Sequence, residues 1–145
     1  MRVVVPYANW EYDPVAHRAM ERNLQMQGVA AEWHPVGDYV SGDPFEYSRL
    51  FRALWSEGYD FIIVEHDVLP WQGFYQVLTE CTSPWCGLNT SLQCTKFSPS
   101  ALGECPVTED VHWQAVDKCF WTLWDRGEKF CEHPPSPVNL TMQAL

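Results

Sequence analysis

Apolar and polar positions divide this chain into short strands alternating with amphipathic helices. Residues 2–5 form an apolar run that predicts a first strand. Asp13 and Pro14 then supply a cap and a first-turn proline, and Gly28 supplies a stop. Between them Ala16, Ala19, Met20 and Leu24 share one helical face. Residues 29–34 predict a second strand, followed by a polar loop through Gly42. Asp43-Pro44 repeats the cap-and-proline device, and Tyr47, Leu50, Phe51, Leu54 and Trp55 share a face up to Gly58. A strand over 60–65 comes next. Trp71, Phe74, Tyr75 and Leu78 then fit a helix, and 84–95 fit one or two short strands. Ser98-Pro99 opens a short helix. Thr108 caps a longer one, with Trp113, Val116, Phe120 and Leu123 inward and Gly127 at its end. The stretch from His133 to Pro137 is too rich in proline for regular structure.

This β-α-β-α-β order, with connections long enough for crossovers, predicts an α/β sandwich around a largely parallel sheet. Within it, Phe61-Ile62-Ile63-Val64 runs straight into Glu65-His66-Asp67. A strand so apolar is buried on both faces, so its first charges mark the sheet rim, where α/β proteins bind ligands. Two roles fit such a pair of acids. They cap the next helix, or they converge on one hard cation that in turn holds a diphosphate. No Gly-x-Gly-x-x-Gly follows the first strand, no phosphate-loop motif is present, and there is no internal repeat.

Composition narrows the functional classes. The 145 residues suffice for one domain and its core. A net charge of −10 argues against non-specific binding to nucleic acid, leaving it at most an acceptor, while an anionic ligand remains compatible if a metal or local basic groups offset the field. The run Met1–Pro6 is too short for an export signal, and no segment approaches a membrane span, which leads to the expectation of a cytoplasmic protein with reduced thiols. Cysteines 81, 86, 94, 105, 119 and 131 are irregularly spaced with no Cys-x-x-Cys pair. That spacing gives no argument for a zinc site, and several of them are expected as small core residues.

Two families resemble the central block. Gly58-Tyr-Asp-Phe-Ile-Ile-Val-Glu-His-Asp-Val-Leu-Pro70 is similar to the third strand and Leu-Pro turn of response-regulator receiver domains. The position four before Pro70, where receivers carry the phosphorylated Asp, is His66. The first strand ends in Pro6-Tyr7-Ala8 rather than in paired acids, and Lys96 follows the acidic turn too closely to be the receiver lysine.

The second resemblance, over most of the chain, is to compact nucleotide-sugar glycosyltransferases of the GT-A fold, of the kind phages and bacteria encode. A first strand ends in Pro6-Tyr7, a helix precedes Tyr59-Asp-Phe-Ile-Ile-Val64, and Glu65-His66-Asp67 stands where the family has its Asp-x-Asp metal motif. Cys94–Ser98 through Pro106 resembles the segment flanking the acceptor, and Glu109-Asp110-Val111 resembles the Glu-Asp motif that opens the acceptor-side helix. A His-containing tail follows. The first motif acid is Glu rather than Asp, and the chain is short for such an enzyme.

The resemblance implies a three-layer α/β/α sandwich with a mostly parallel, Rossmann-like GT-A sheet. It implies a single domain over 1–145, with a nucleotide-binding half at 1–67, an acceptor-side half at 68–132 and a proline-rich tail at 133–145. It implies a nucleoside diphosphate sugar donor, an acceptor of unknown kind, and a divalent metal, Mn2+ or Mg2+. Asp67 and Glu65 would be metal ligands, Glu65 alternatively a contact to the donor ribose, and His133 would complete the shell. Pro6 and Tyr7 would hold the base, Asp38 would read it, and Arg49 would reach the diphosphate. Asp110 would deprotonate the acceptor, with Asp117 the next candidate. Plainer roles stand beside these: an exposed loop histidine for His133, a solvated helix face for Arg49, and helix-start or surface charge for Asp110 and Asp117. Trp71, Trp85 and Trp113 are candidates for a sugar platform, although Trp71 and Trp113 also fit inward helical positions. A different class, a nucleotide- or sugar-binding module without turnover, shares the same expectations for the fold.

Overall fold

A computed structural model describes residues 1–8, 14–37, 42–91 and 93–140. Asp13 and Asp38 therefore lie outside the described residues. The strands are β1 (Arg2–Ala8), β2 (Ala31–Val36), β3 (Phe61–Val64), β4 (Val68–Leu69), β5 (Trp85–Gly87), β6 (Cys94–Phe97), β7 (Cys131–Glu132) and β8 (Val138–Asn139). The helices are α1 (Pro14–Met26), α2 (Glu46–Ser56), α3 (Phe74–Glu80), α4 (Pro99–Leu102), α5 (Val116–Cys119) and α6 (Trp121–Asp125), with a 3-10 turn at Trp113–Ala115 before α5.

The main sheet has six strands in the order β2-β1-β3-β6-β5-β7. The pairs β1–β2, β1–β3 and β5–β7 are parallel, and β6 runs against both of its neighbours. Five of the six strands thus share one direction, as the alternating β/α order requires. Strand alternation splits the apolar residues between two faces. Val3, Val5, Ile62 and Val64 meet Met20 and Leu24 of α1 and Phe74 and Leu78 of α3. Val4, Phe61, Ile63 and Phe97 meet Phe51, Leu54 and Trp55 of α2 and Val116, Phe120 and Leu123 beyond it. Phe51 is the centre of that second layer, with the rings of Phe97 and Phe120 at 5.1 and 4.8 Å. The result is a three-layer α/β/α sandwich with a mostly parallel sheet. Among the described residues no helix is long and apolar enough to cross a membrane.

Local signals explain most boundaries. At the start of α2 the Asp43 carboxylate accepts from the Phe45 amide at 2.9 Å, and the Glu46 carboxylate accepts from the Asp43 amide at 3.1 Å. These bonds hold the turn just ahead of α2, while the cap position itself falls two residues after the expected Asp43, on Phe45, which makes no side-chain cap bond. Another boundary needs correction: Thr108 does not open a helix. The chain stays irregular until Trp113, because its amides bond to another element: Val111 donates to Ser48 Oγ at 3.2 Å and Trp113 to the Pro44 carbonyl at 3.0 Å. The Glu109-Asp110 pair is consequently a loop laid along α2. Val116, Phe120 and Leu123 do point inward as expected.

Candidate functional site

Strand order reverses at β1: α1 carries the chain to β2 over one face of the sheet, and α2 carries it back to β3 over the other. The carboxyl ends of β1 and β3 therefore flank a topological switch point, the usual ligand position in such sheets. The β1–β3 ladder stops at Val4–Ile63, whereas β1 stays paired with β2 as far as Ala8–Val36. Pro6, buried in that last stretch, has no amide hydrogen to give to a ladder. Tyr7 follows it. Its ring meets His17 edge-on at 5.8 Å and Trp33 at 6.4 Å, and His17 and Trp33 are 4.1 Å apart.

Across the switch point, Glu65, His66 and Asp67 make the turn between β3 and β4. The turn is held from both sides. The Glu65 amide donates to the Gln93 carbonyl at 2.9 Å, Val68 donates back to the Glu65 carbonyl at 3.3 Å, and Leu140 donates to the Asp67 carbonyl at 2.8 Å. Strand β8 pairs with β4 directly after the turn, so the tail is anchored beside Asp67. Tyr47 of α2 is partly buried against the cluster around Phe51. Burial of its hydroxyl pushes its pKa up, and the carboxylates of Glu65 and Asp117 add to the effect.

Asp110 belongs to a different group. Its carboxylate bonds to Arg52 and to Arg49, the latter at 2.9 Å, and Arg49 also bonds to Asp43. The two guanidiniums, Arg52 foremost, hold the Asp110 carboxyl below its usual range. A carboxylate so stabilised is a weak base. Arg49 is correspondingly occupied on the face of α2.

His133 also stands apart from the acidic turn. Its amide extends the β7 ladder by donating to the Gly87 carbonyl at 2.8 Å, and its Nε2 lies 3.5 Å from Cys131 Sγ. The metal-capable group of three or more side chains found among the described residues is Cys81, Cys131 and His133, without Glu65 or Asp67. Cys86 and Cys94 are buried core residues, as the sequence suggested. The grouping of Cys81, Cys131 and His133 was missed, although Cys131-x-His133 is the spacing that puts two ligands on one face of a strand.

Two further polar side chains escaped notice. Asn89 and Thr95 are buried, with Asn89 Oδ1 and Thr95 Oγ1 lacking partners among the described residues. Trp85 is no sugar platform, being 1% exposed in the core. Trp71 donates its Nε1 to the Pro135 carbonyl at 2.8 Å. Two clefts, of about 470 and 440 Å³, lie along α1 and against Leu69 and the tail, and neither is lined by Glu65 or Asp67.

No family model and no curated protein matches the chain. A solved structure that is similar is the crystal structure of a glycosyltransferase involved in the glycosylation of the major capsid of PBCV-1, at 10% identity and a TM-score of 0.49. The similarity covers 93% of this chain and 83% of that one. A likeness of that degree does not bear on the chemistry of this chain, which rests on the residues above.

Proposed function

We propose that this protein transfers a sugar from a nucleoside diphosphate sugar to an acceptor, at the sheet edge between Tyr7 and the Glu65–Asp67 turn. The observation that carries the reading is the position of two carboxylates, one residue apart, beside the switch point of a doubly wound sheet. Glu65 and Asp67 offer oxygen ligands only, a donor set that fits Mg2+ or Mn2+. Such an ion, when bound, stabilises negative charge on the departing diphosphate.

The protein's own side chains supply the rest. Pro6 and Tyr7 bound the nucleoside end at the terminus of β1. Asp38 remains a candidate for reading the base, outside the described residues. Asp117 is the better base for an acceptor hydroxyl, because it is exposed on α5 while the Asp110 carboxylate is bonded to two arginines. In this reading Asp110 and Arg49 position the loop 108–113 against α2.

The test is isothermal calorimetry with nucleoside diphosphates, with Mn2+ and with excess chelator. Binding should require the metal, and Asp67→Asn should weaken it at least about 10-fold, the loss of one charged ligand. Equal affinity in chelator would refute the metal assignment. Donor binding without hydrolysis or transfer would leave a binding module in place of an enzyme.

A further inference from the structure

Three side chains with soft donor atoms converge at the other end of the sheet edge, on the face covered by α3, and a fourth, Cys86, shares that face. Cys86 of β5 and Cys131 of β7 are register partners, so their side chains leave the sheet on the same face. His133, two residues on, returns to that face and places Nε2 3.5 Å from Cys131 Sγ. Cys81, the residue that ends α3, completes a trio whose ligand atoms all lie within 4.8 Å of one another. Cys86, the register partner of Cys131 and buried beneath the trio's face, is the nearest further thiol by placement in the sheet.

These separations suit one ion. Zinc bound at about 2.3 Å to sulfur and about 2.05 Å to nitrogen, with tetrahedral angles, sets its sulfur and nitrogen ligands about 3.6 Å apart and two sulfurs about 3.8 Å apart. The Cys131–His133 separation already has that value. Thiolate and imidazole donors in a tetrahedral set favour zinc over the hard cations suited to Glu65 and Asp67.

A second observation concerns charge. Lys96 of β6 is the register partner of Cys86 and is 2% exposed. Its ammonium donates to the Cys81 carbonyl at 2.6 Å, and among the described residues no carboxylate pairs with it. A buried ammonium without a counter-charge is costly. Zinc with three thiolates and one imidazole carries a net charge of −1, which Lys96 balances.

We propose that Cys81, Cys131 and His133, with Cys86 closing the fourth position, form a structural zinc site. Binding displaces the thiol protons to solvent as three sulfur–zinc bonds and one nitrogen–zinc bond form. The ion pins β7, a two-residue edge strand, to the end of α3 and to β5. The three partly exposed ligands give it a path of entry. The site is distinct from the acidic turn, since β3 and β7 are separated by β6 and β5, three strand spacings or about 14 Å.

The experiment uses the full chain, reduced and stripped with chelator, then titrated with zinc against a chromophoric competitor and with cobalt. One equivalent of zinc should bind and raise the melting temperature. Cobalt should give thiolate charge-transfer absorption with intense tetrahedral visible bands. Cys131→Ser and His133→Ala should each weaken zinc by about 100-fold or more, while Cys105→Ser and Cys119→Ser should not. Cys86→Ser should lower the charge-transfer intensity in proportion to one lost thiolate. The cobalt spectrum of the unsubstituted chain keeps the test independent of how the variants fold. Reduced protein that takes up no zinc overturns the proposal, as does zinc uptake indifferent to Cys131→Ser and His133→Ala, or a cobalt spectrum without thiolate bands. A Cys81–Cys131 disulfide forming in zinc-free protein that also refuses zinc after reduction would reassign the cluster to redox chemistry. None of these outcomes depends on whether the acidic turn binds a nucleotide.

Discussion

Gly87→Ala tests how closely β5 is held between its neighbours. A Cβ built on Gly87 would stand 2.6 Å from the Cys94 carbonyl oxygen, 3.0 Å from Phe130 Cζ and 3.1 Å from Thr95 Oγ1. The first obstruction is decisive, because it is backbone of β6 and cannot rotate away, while that same carbonyl accepts from the Leu88 amide at 3.1 Å. Relieving the clash means moving β5 and β6 apart by several tenths of an ångström, in a core packed on both faces. Overpacking of this kind costs about 1–3 kcal/mol, and a backbone obstruction belongs at the upper end, about 2–3 kcal/mol. With an unfolding entropy of about 2.1 cal/mol/K per residue, a chain of this length loses about 3 °C of melting temperature per kcal/mol, so a drop of about 7–10 °C is expected. Calorimetry or far-UV circular dichroism on heating reads it. Gly87 also accepts from the His133 amide, so the same variant should weaken zinc binding at the Cys81–Cys131–His133 corner. A melting temperature within 2 °C or so of the parent would refute the reasoning, showing that β5 and β6 have slack.

Two further expectations concern charge. Asp117→Asn should lower sugar transfer, or donor hydrolysis by water, by about 10²-fold with donor affinity retained, whereas Asp110→Asn should change transfer little and destabilise the loop along α2; the reverse pattern in initial-rate assays would restore Asp110 as the base. At the opposite edge of the sheet, the Arg2 guanidinium lies 2.7 Å from Glu32 and holds its carboxyl below the usual range. A depressed folded-state pKa contributes stability above the unfolded value of about 4.3 that is lost as pH falls through the folded one. Parent and Arg2→Gln should therefore differ most near neutrality, by at most about 1 kcal/mol for so exposed a pair, and converge in acid denaturation curves below pH 4 or so; a gap that persists there would place the effect in packing.

The elements that the sequence made legible are those whose burial is set by their own residues. Val3–Val5 and Phe61–Val64 are apolar throughout and became central strands. Met20 and Leu24, and Phe51, Leu54 and Trp55, marked their helix faces by spacing alone. The two-residue strands β4, β7 and β8 are too short to carry a period, and their pairing depends on where the tail returns. The reversal of β6 is likewise a property of the short turn after β5, not of its residues. In the site, Glu65 and Asp67 were legible because charge after a buried strand has one place to go. The partners of Asp110 were not, because Arg49 and Arg52 reach it from a helix some sixty residues earlier. Cys81 and Cys131 are likewise far apart in sequence, and the parallel pairing of β5 with β7 brings their elements together.

That pairing also joins the two proposed sites through the tail. The chain leaves the cysteine corner at His133, is held by Trp71 at the Pro135 carbonyl, and reaches β8, whose partner β4 follows Asp67. Leu140 closes the path by donating to the Asp67 carbonyl. A segment with so much proline has few conformations to lose and little slack once both ends are fixed. Fixing β7 at one end therefore constrains where β8 lies at the other. The turn that carries Glu65 and Asp67 is short and half-buried at the rim, so its geometry depends on what holds it: Gln93 on one side and Leu140 on the other. In this architecture a metal at the cysteine corner does no chemistry of its own. It would supply, through seven residues of tail, part of the rigidity that the two carboxylates would need if they converge on a second, harder ion as proposed.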